Sequence, residues 1–291
     1  MPSPKALGSI LVLIALTSSV GRGAQTQSLN PSLDPYLKGF GLPALAAAVF
    51  RNGDIIACGA LGTRRTGQQI PVTINDRFHL GSDGKAFTAL LAGQFVEAGK
   101  LSWNSTLADV YPELKAKFNS EFAKITLQQL LSHSSGLSDK SLLDLAYRSY
   151  QQEGNLNDVR YWIVQETGAK PLDHPRGSRF DYSNLGYTIA GAMLEHLGNK
   201  SWEELIEERI IKPMALATAG CGPQSSLGKV DAPLGHLLID GKLKAMLAGP
   251  NGDNPLIMGP AGTLHISVLD FAKWVAWNAG EGKRGPALVS A

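Results

Sequence analysis

Residues 81–88 read Gly-Ser-Asp-Gly-Lys-Ala-Phe-Thr and lead into the most regular apolar pattern of the chain. Leucines and phenylalanines recur at helical spacing from Phe87 to Val96, so the sequence predicts a helix that begins at about Lys85. Residues i and i+3 in a first helical turn share a face, with Cβ atoms about 5–6 Å apart. The Lys85 amine is therefore expected to lie within reach of the Ser82 hydroxyl.

A serine and a lysine in this arrangement are suited to nucleophilic catalysis. The serine needs a base, and an amine acts as one only when its pKa falls from about 10.4, as burial can cause. Asp83 is expected to face away from the lysine. A structural interpretation competes, in which Ser82 is a plain helix cap and Lys85 a solvated charge. A second Ser-x-x-Lys match, Ser226 to Lys229, lies in an aperiodic stretch and is the weaker candidate.

The tripeptide Tyr182-Ser183-Asn184 favours the catalytic interpretation. In an extended segment residues i and i+2 point the same way, so the phenol and the amide are expected to face one site. The phenol could carry a proton to a leaving group, while the amide could donate to a substrate carbonyl and accept from Lys85. A structural alternative makes Asn184 the cap of a helix that begins at Leu185.

Other chemistries lack their residue patterns in this sequence. It has no Gly-x-Ser-x-Gly elbow, no His-Glu-x-x-His, no Walker loop and no dinucleotide-binding glycine motif. The six histidines are scattered without metal-ligand spacing, and Cys58 and Cys221 are too few for a cysteine-based zinc site. We therefore expect neither a metal nor another cofactor. Whether the two cysteines form a disulfide stays open.

The composition is that of an ordinary globular protein, with 291 residues of which 44% are hydrophobic and 18% charged. The formal net charge is +2. Removal of Lys5 and Arg22 with a leader peptide leaves 25 of the 27 basic residues against 25 acidic ones. Proteins that bind nucleic acid normally carry a clear basic excess. Nucleic acid is therefore not an expected partner.

Residues 1–24 are typical of a signal peptide. Lys5 precedes an apolar run at 10–16 that is too short to span a bilayer, and small residues follow it. We expect cleavage between Gly21 and Ala24, which gives a periplasmic or secreted protein without stable membrane insertion. The alternative is an N-terminal membrane anchor.

Strand signals come first along the mature chain, and helical signals follow. Asn52-Gly53 within the apolar segment 43–62 predicts a hairpin with a type I′ turn, because both turn positions need positive φ. Further helices are predicted at about 127–135, 142–152, 158–166, 185–197, 202–211 and 268–279, with capping pairs Thr126–Gln129 and Ser201–Glu204 before the first and the fifth of them. This order indicates an α+β domain with an antiparallel β-sheet flanked by helices and a large all-helical insertion. The α/β part is expected at about 30–85 and 255–291, and the helical part at about 86–254.

Four segments of the chain resemble the class C β-lactamase-like serine hydrolases of the β-lactamase and penicillin-binding protein superfamily. They are 81–88, Leu-Leu-Ser-His-Ser-Ser-Gly-Leu at 130–137, Phe-Asp-Tyr-Ser-Asn-Leu-Gly-Tyr at 180–187 and Pro-Ala-Gly-Thr-Leu at 260–264. The resemblance runs from about Gly41 to the end of the sequence. It implies a β-lactamase/transpeptidase-like fold.

The resemblance also implies a role for each candidate residue. Ser82 would be the acylated nucleophile and Lys85 its base, Tyr182 would be catalytic and Asn184 would bind substrate, while His133 would be structural. The family acts on β-lactams, D-amino peptides and esters. The expected partner is therefore a small-molecule or peptidoglycan-like substrate.

One family element has no counterpart in this sequence, namely a Lys or His followed by Thr or Ser and then Gly, which in the family comes after the last helix. The only similar triplet, Arg65-Thr66-Gly67, precedes Ser82 and is predicted to be a turn. We therefore expect the domain at 25–291 to be C-terminally incomplete and to continue with further strands in a longer protein. The alternative function is a non-catalytic binding or regulatory module on the same fold.

Overall fold

The computed structural model describes residues 26–290, so the predicted signal peptide at 1–24 lies outside the described residues. The strands in chain order are β1 (Gln27–Ser28), β2 (Ala44–Arg51), β3 (Asp54–Gly62), β4 (Phe78–His79), β5 (Gly220–Cys221), β6 (His236–Ile239), β7 (Lys242–Ala245) and β8 (Leu264–Ile266). The α-helices are α1 (Asn30–Gly39), α2 (Lys85–Glu97), α3 (Leu107–Val110), α4 (Leu127–Leu131), α5 (Leu142–Ser149), α6 (Leu156–Gly168), α7 (Asn184–Gly198), α8 (Trp202–Ile206), α9 (Gly259–Gly262) and α10 (Val268–Ala279). Within this part of the chain, no helix combines the length and apolar character needed to cross a membrane.

The predicted hairpin is present as β2 and β3, which pair along their whole length. Asn52 and Gly53 both have positive φ, 53° and 93°, as the type I′ turn requires. Side chains on a strand alternate between two faces, and the buried residues of β2 follow this rule. One set packs with α1 and the other with α10. The hairpin is thus covered by a helix on each face.

Two smaller sheets complete the strand pairing of the described residues. Strand β8 lies between β4 and β5 and is antiparallel to both, while β6 and β7 form a separate hairpin. The short strand β1 runs parallel to β3, so the first sheet is not purely antiparallel. The mixture of helices and small sheets confirms the α+β fold class predicted from the sequence. Strand β4 leads into the turn that carries Ser82.

The segment 86–254 is not all-helical, because β5, β6 and β7 lie within it. The β6–β7 hairpin turns at Asp240-Gly241, where both residues have positive φ, 51° and 71°. Asp-Gly between apolar runs is a hairpin signal of the same kind as Asn52-Gly53. The prediction of an uninterrupted helical insertion was wrong at this point.

The predicted helices are present, α10 with the predicted ends and most others with different ones. Capping boxes at Thr126 and Ser201 open α4 and α8 as the sequence predicts. Helix α4 ends at Leu131 rather than near Gly136, because His133 already has a positive φ of 57°. The cap of α7 is Ser183, whose Oγ accepts from the Gly186 N–H at 2.9 Å, so the interpretation of Asn184 as the cap is wrong.

The main core lies between α2 and α7 and against residues 256–262, the segment that contains α9. At the contact of α7 with this segment, Gly191 leaves no space for a side chain, because a Cβ there would lie 2.1 Å from Pro260 Cγ. Gly186 on the same helix has room, since the nearest atom to its Cβ would be the Leu130 carbonyl oxygen at 3.5 Å. The two glycines therefore form a matched pair for testing this packing.

We expect Gly191→Ala to lower the free energy of unfolding by about 1–3 kcal/mol, because the new methyl group overpacks the α7 contact with Pro260. Gly186→Ala should be neutral or stabilising by up to about 1 kcal/mol, because alanine favours a helix interior over glycine. Urea unfolding of both variants measures the difference. Equal stability of the two would contradict the packing described here.

Candidate active site

Ser82 lies in a short 3₁₀ turn, Gly81–Gly84, that joins β4 to α2. The residue as a whole is exposed to solvent. The turn is fixed by His79, whose Nδ1 accepts from the Gly81 N–H at 3.0 Å and whose Nε2 lies 2.6 Å from Asp253 Oδ1. Gly262 packs closely against the same turn, because a Cβ on Gly262 would lie 2.7 Å from the Gly81 carbonyl oxygen.

Lys85 is buried at the start of α2, with 7% of its surface exposed. Its Nζ lies 3.2 Å from Ser82 Oγ, 2.8 Å from Asn184 Oδ1 and 2.6 Å from the Ala261 carbonyl oxygen. The contact with Ser82 is the one that the i, i+3 spacing predicts. The amine thus has three acceptors, one from the Ser82 turn, one from α7 and one from α9.

Burial lowers the pKa of the Lys85 amine below its usual value of 10.5. The contact with Tyr182 and the charge of Asp139 act in the opposite direction and offset part of this effect. The amine also lies 4.8 Å from the centre of the Tyr182 ring. The net direction favours the neutral amine, which is the form able to accept a proton.

Tyr182 stands on the other side of Ser82. Its hydroxyl donates to Ser82 Oγ at 2.6 Å, and 43% of the residue is exposed. The ring stacks on His133 with the centroids 4.4 Å apart. His133 Nδ1 in turn accepts from the Ser183 N–H at 3.1 Å, so the histidine holds the segment that carries the phenol.

Asn184 is the first residue of α7, and its amide joins two charged groups. Its Oδ1 accepts from Lys85, and its Nδ2 donates to Asp139 Oδ2 at 2.7 Å. Asp139 was not among the residues predicted from the sequence. Its local pattern is only that of an acidic residue in the first turn of a short helix after the capping residue Ser138, which is common in any protein.

The structure therefore brings together all four candidates, Ser82, Lys85, Tyr182 and Asn184. The competing Ser-x-x-Lys match is a surface turn, in which Ser226 Oγ binds Asp231 Oδ2 at 2.7 Å and Lys229 is exposed.

The triplet Arg65-Thr66-Gly67 is a turn, as predicted, with Gly67 at a positive φ of 80°. Its Thr66 N–H donates to His236 Nε2 at 3.0 Å. Cys58 lies on β3 and Cys221 on β5, in different sheets, and both are free thiols.

The carbonyl of Ala261 belongs to a segment anchored by Arg160, a fully buried residue of α6. The guanidinium donates to the Leu256 and Ile257 carbonyl oxygens at 2.9 and 3.0 Å. It also pairs with Glu195 and Glu203, so its charge is compensated inside the core. No local sequence pattern predicts this anchor, because its members are far apart in the chain.

Residues 31–290 match the family model described as Beta-lactamase. The chain belongs to the beta-lactamase family. Membership supports serine hydrolase-type activity in general, and the order of the four quoted segments is explained by it.

Relatives of known description fit this assignment. The chain is 30% identical over 244 residues to penicillin-binding protein 4 of Amycolatopsis lactamdurans, covering 83% of this chain and 60% of that protein. The octameric penicillin-binding protein homologue from Pyrococcus abyssi has a TM-score of 0.70 at 23% identity, covering 88% of this chain and 56% of the other. The D-amino acid amidase from Ochrobactrum anthropi SV3, complexed with L-phenylalanine amide, has a TM-score of 0.68 at 18% identity. That match covers 87% of this chain and 70% of the other. The chain thus spans less than two thirds of the length of the first two.

The unfolding free energy is expected to decrease as the pH falls below about 6.5. Burial lowers the pKa of His133 from 6.5, and the Lys85 charge adds to this effect. The folded state then binds fewer protons than the unfolded state, so the stability from neutral His133 is present above its unfolded pKa and lost as the pH falls through the folded value. Urea unfolding at a series of pH values measures the slope.

His133→Asn is the matched variant, because an asparagine oxygen can still accept from the Ser183 N–H but does not titrate. We expect it to show a smaller slope than the wild type. Some slope should remain, because burial also lowers the pKa of His236 and of His265. An identical slope in the wild type and the variant would show that His133 is not one of the groups responsible.

Proposed function

We propose that the chain is a serine hydrolase that acts through an acyl-enzyme on Ser82. The observation that carries the proposal is the position of Ser82 Oγ, which contacts both Lys85 Nζ and the Tyr182 hydroxyl on a residue that is exposed to solvent. A nucleophile needs a base within hydrogen-bond reach and an open path to the substrate. Ser82 has both.

Lys85 is the base in this mechanism. When the amine is neutral, its two protons are donated to Asn184 Oδ1 and the Ala261 carbonyl oxygen, so that its lone pair points to the third neighbour, Ser82 Oγ. Lys85 takes the serine proton as Oγ attacks the substrate carbonyl carbon. The oxygen of the tetrahedral intermediate receives a hydrogen bond from the Ser82 N–H, which lies in a first helical turn where backbone donors have no intrahelical partner.

Tyr182 completes the proton path. Its hydroxyl bridges Ser82 and the solvent side of the site, where a leaving group departs. The phenol gives a proton to that leaving group and receives one from the lysine side. Water then attacks the acyl-enzyme, with the same groups acting in reverse, and Ser82 is released.

We infer a substrate with an activated or unhindered acyl carbonyl, namely a β-lactam, a D-amino peptide or an ester. The descriptions of the relatives, a penicillin-binding protein and a D-amino acid amidase, support this range of acyl donors. We also propose a periplasmic or secreted location, supported by the signal-peptide pattern at 1–24, where peptidoglycan-like substrates occur.

Intact-mass analysis after incubation with a fluorophosphonate and with a penicillin tests the proposal. We expect a single covalent adduct with at least one reagent in the wild type and in Ser226→Ala, and none in Ser82→Ala. Ser226 is the matched control because it heads the second Ser-x-x-Lys match. The absence of any adduct on the folded wild type would contradict the proposal, and saturable binding without an adduct would favour the non-catalytic binding module.

Lys85→Arg should reduce the acylation rate by at least about 100-fold, because arginine stays protonated and cannot act as the base. Lys229→Arg, the same exchange in the surface match, should leave the rate unchanged. Stopped-flow measurement of acylation with a chromogenic β-lactam or ester gives both rates. Retained acylation in Lys85→Arg would mean that another group takes the Ser82 proton.

A further inference from the structure

The carboxylate of Asp139 is fully engaged with the beginning of α7. Its Oδ2 accepts from Asn184 Nδ2 at 2.7 Å. Its Oδ1 accepts from the Leu185 N–H at 3.0 Å and from Ser183 Oγ at 3.3 Å. The carboxylate thus contacts three consecutive residues, and the middle one, Asn184, also contacts Lys85.

The chemistry of the two partners determines which way the Asn184 amide points. An asparagine amide has an oxygen that only accepts and a nitrogen that only donates, on a side chain whose two ends have nearly the same shape. An ionised carboxylate only accepts, and the Lys85 amine is a donor on this side. Nitrogen towards Asp139 and oxygen towards Lys85 satisfies both contacts. The reverse orientation would place oxygen against oxygen and N–H against N–H.

We propose that Asp139 is a positioning residue, which fixes the amide of Asn184 so that its oxygen accepts from Lys85. The effect on rate rests on the proposed function of Ser82 and Lys85. With Asn184 Oδ1 and the Ala261 carbonyl both accepting from the amine, its lone pair is aimed at Ser82. Without a fixed acceptor at Asn184, the amine has no defined orientation towards the serine.

A purely electrostatic role for Asp139 makes the opposite prediction. Its negative charge favours the protonated form of Lys85, so removal of the charge alone would give more neutral amine and faster acylation. Asp139→Asn removes the charge and keeps the shape. It also retains an oxygen that can accept from the Leu185 N–H, but it places a donor opposite Asn184 Nδ2 or forces the amide to turn.

We expect Asp139→Asn to reduce the acylation rate by about 10- to 100-fold, the range for loss of one hydrogen bond to a charged group. Asp144→Asn is the matched control, because Asp144 is an exposed carboxylate of α5 that pairs with Arg148, and its rate should equal that of the wild type. An Asp139→Asn rate at or above the wild-type rate would overturn the proposal.

A double-mutant cycle separates positioning from a merely structural effect. If Asp139 acts through Asn184, then Asp139→Asn causes no further loss of rate in an Asn184→Ala background. Losses that multiply in the double variant would show that Asp139 acts by another route, and would also overturn the proposal. Both variants are compared at the same pH and with the same acylating reagent.

A measurement without turnover keeps this inference separate from the proposed function. In protein with ¹³C-labelled lysine, the Cε resonance of Lys85 should not move in Asp144→Asn. In Asp139→Asn it should move by more than the same exchange causes in an Asn184→Ala background, where only the loss of the Asp139 charge acts. If the wild type is never acylated but this difference is found, the proposed function fails and the positioning role stands. If the shift is missing, or has the same size in both backgrounds, the positioning role fails.

Stability provides a test even if Asp139→Asn folds poorly. The exchanged pair, Asp139→Asn with Asn184→Asp, again sets one donor against one acceptor across the same contact. It should recover part of the unfolding free energy that Asp139→Asn loses. No recovery in urea unfolding would contradict the pairing of the two side chains.

Discussion

A buried primary amine needs partners for its N–H groups, and this requirement at Lys85 connects the parts of the fold. An unpaired donor in the interior carries a large desolvation penalty, so the acceptors must be in place whenever the amine is buried. Those acceptors come from three elements that are distant in sequence, namely the turn before α2, the first residue of α7 and the end of α9. The packing of these three elements against one another is therefore linked to the burial of the Lys85 side chain.

The same amine is subject to opposing physical effects. Burial disfavours its charge, whereas the Tyr182 contact and the Asp139 carboxylate favour it. Three polar neighbours let the lysine remain inside the protein, while desolvation lowers the pKa of its amine. A fully apolar surrounding would leave the donors unpaired, and a fully solvated one would keep the amine charged. The observed arrangement lies between these limits.

Sequence patterns predicted the local parts of this structure well. The turn at Asn52-Gly53, the capping boxes at Thr126 and Ser201, and the Ser82–Lys85 contact all depend on residues within four positions of each other, where backbone geometry alone determines the outcome. The hairpin at Asp240-Gly241 has a turn signal of the same kind but lies in a segment that was predicted to be helical.

The long-range parts of the site were beyond reach of the sequence. The contact between Asn184 and Asp139 joins residues 45 positions apart, and that between Lys85 and the Ala261 carbonyl joins residues 176 apart. A backbone carbonyl leaves no trace in residue identity, since every residue has one. Tyr182 and Asn184 were predicted to share a site because side chains two positions apart in an extended segment face the same way. Asp139 follows a serine, and this pattern is typical of ordinary helix starts.

The anchor beneath the α9 segment has a consequence for how this region can diversify. Arg160 holds the main chain at Leu256 and Ile257 through their carbonyl oxygens, which are present whatever side chains stand there. Leu256 is 42% exposed, so its side chain can be exchanged without moving the backbone that leads to Ala261. Substitutions are therefore expected to be tolerated better at Leu256 than at Arg160 and its two glutamates. As long as this trio is kept, the side chains along the segment can change while the carbonyl that accepts from Lys85 stays in place.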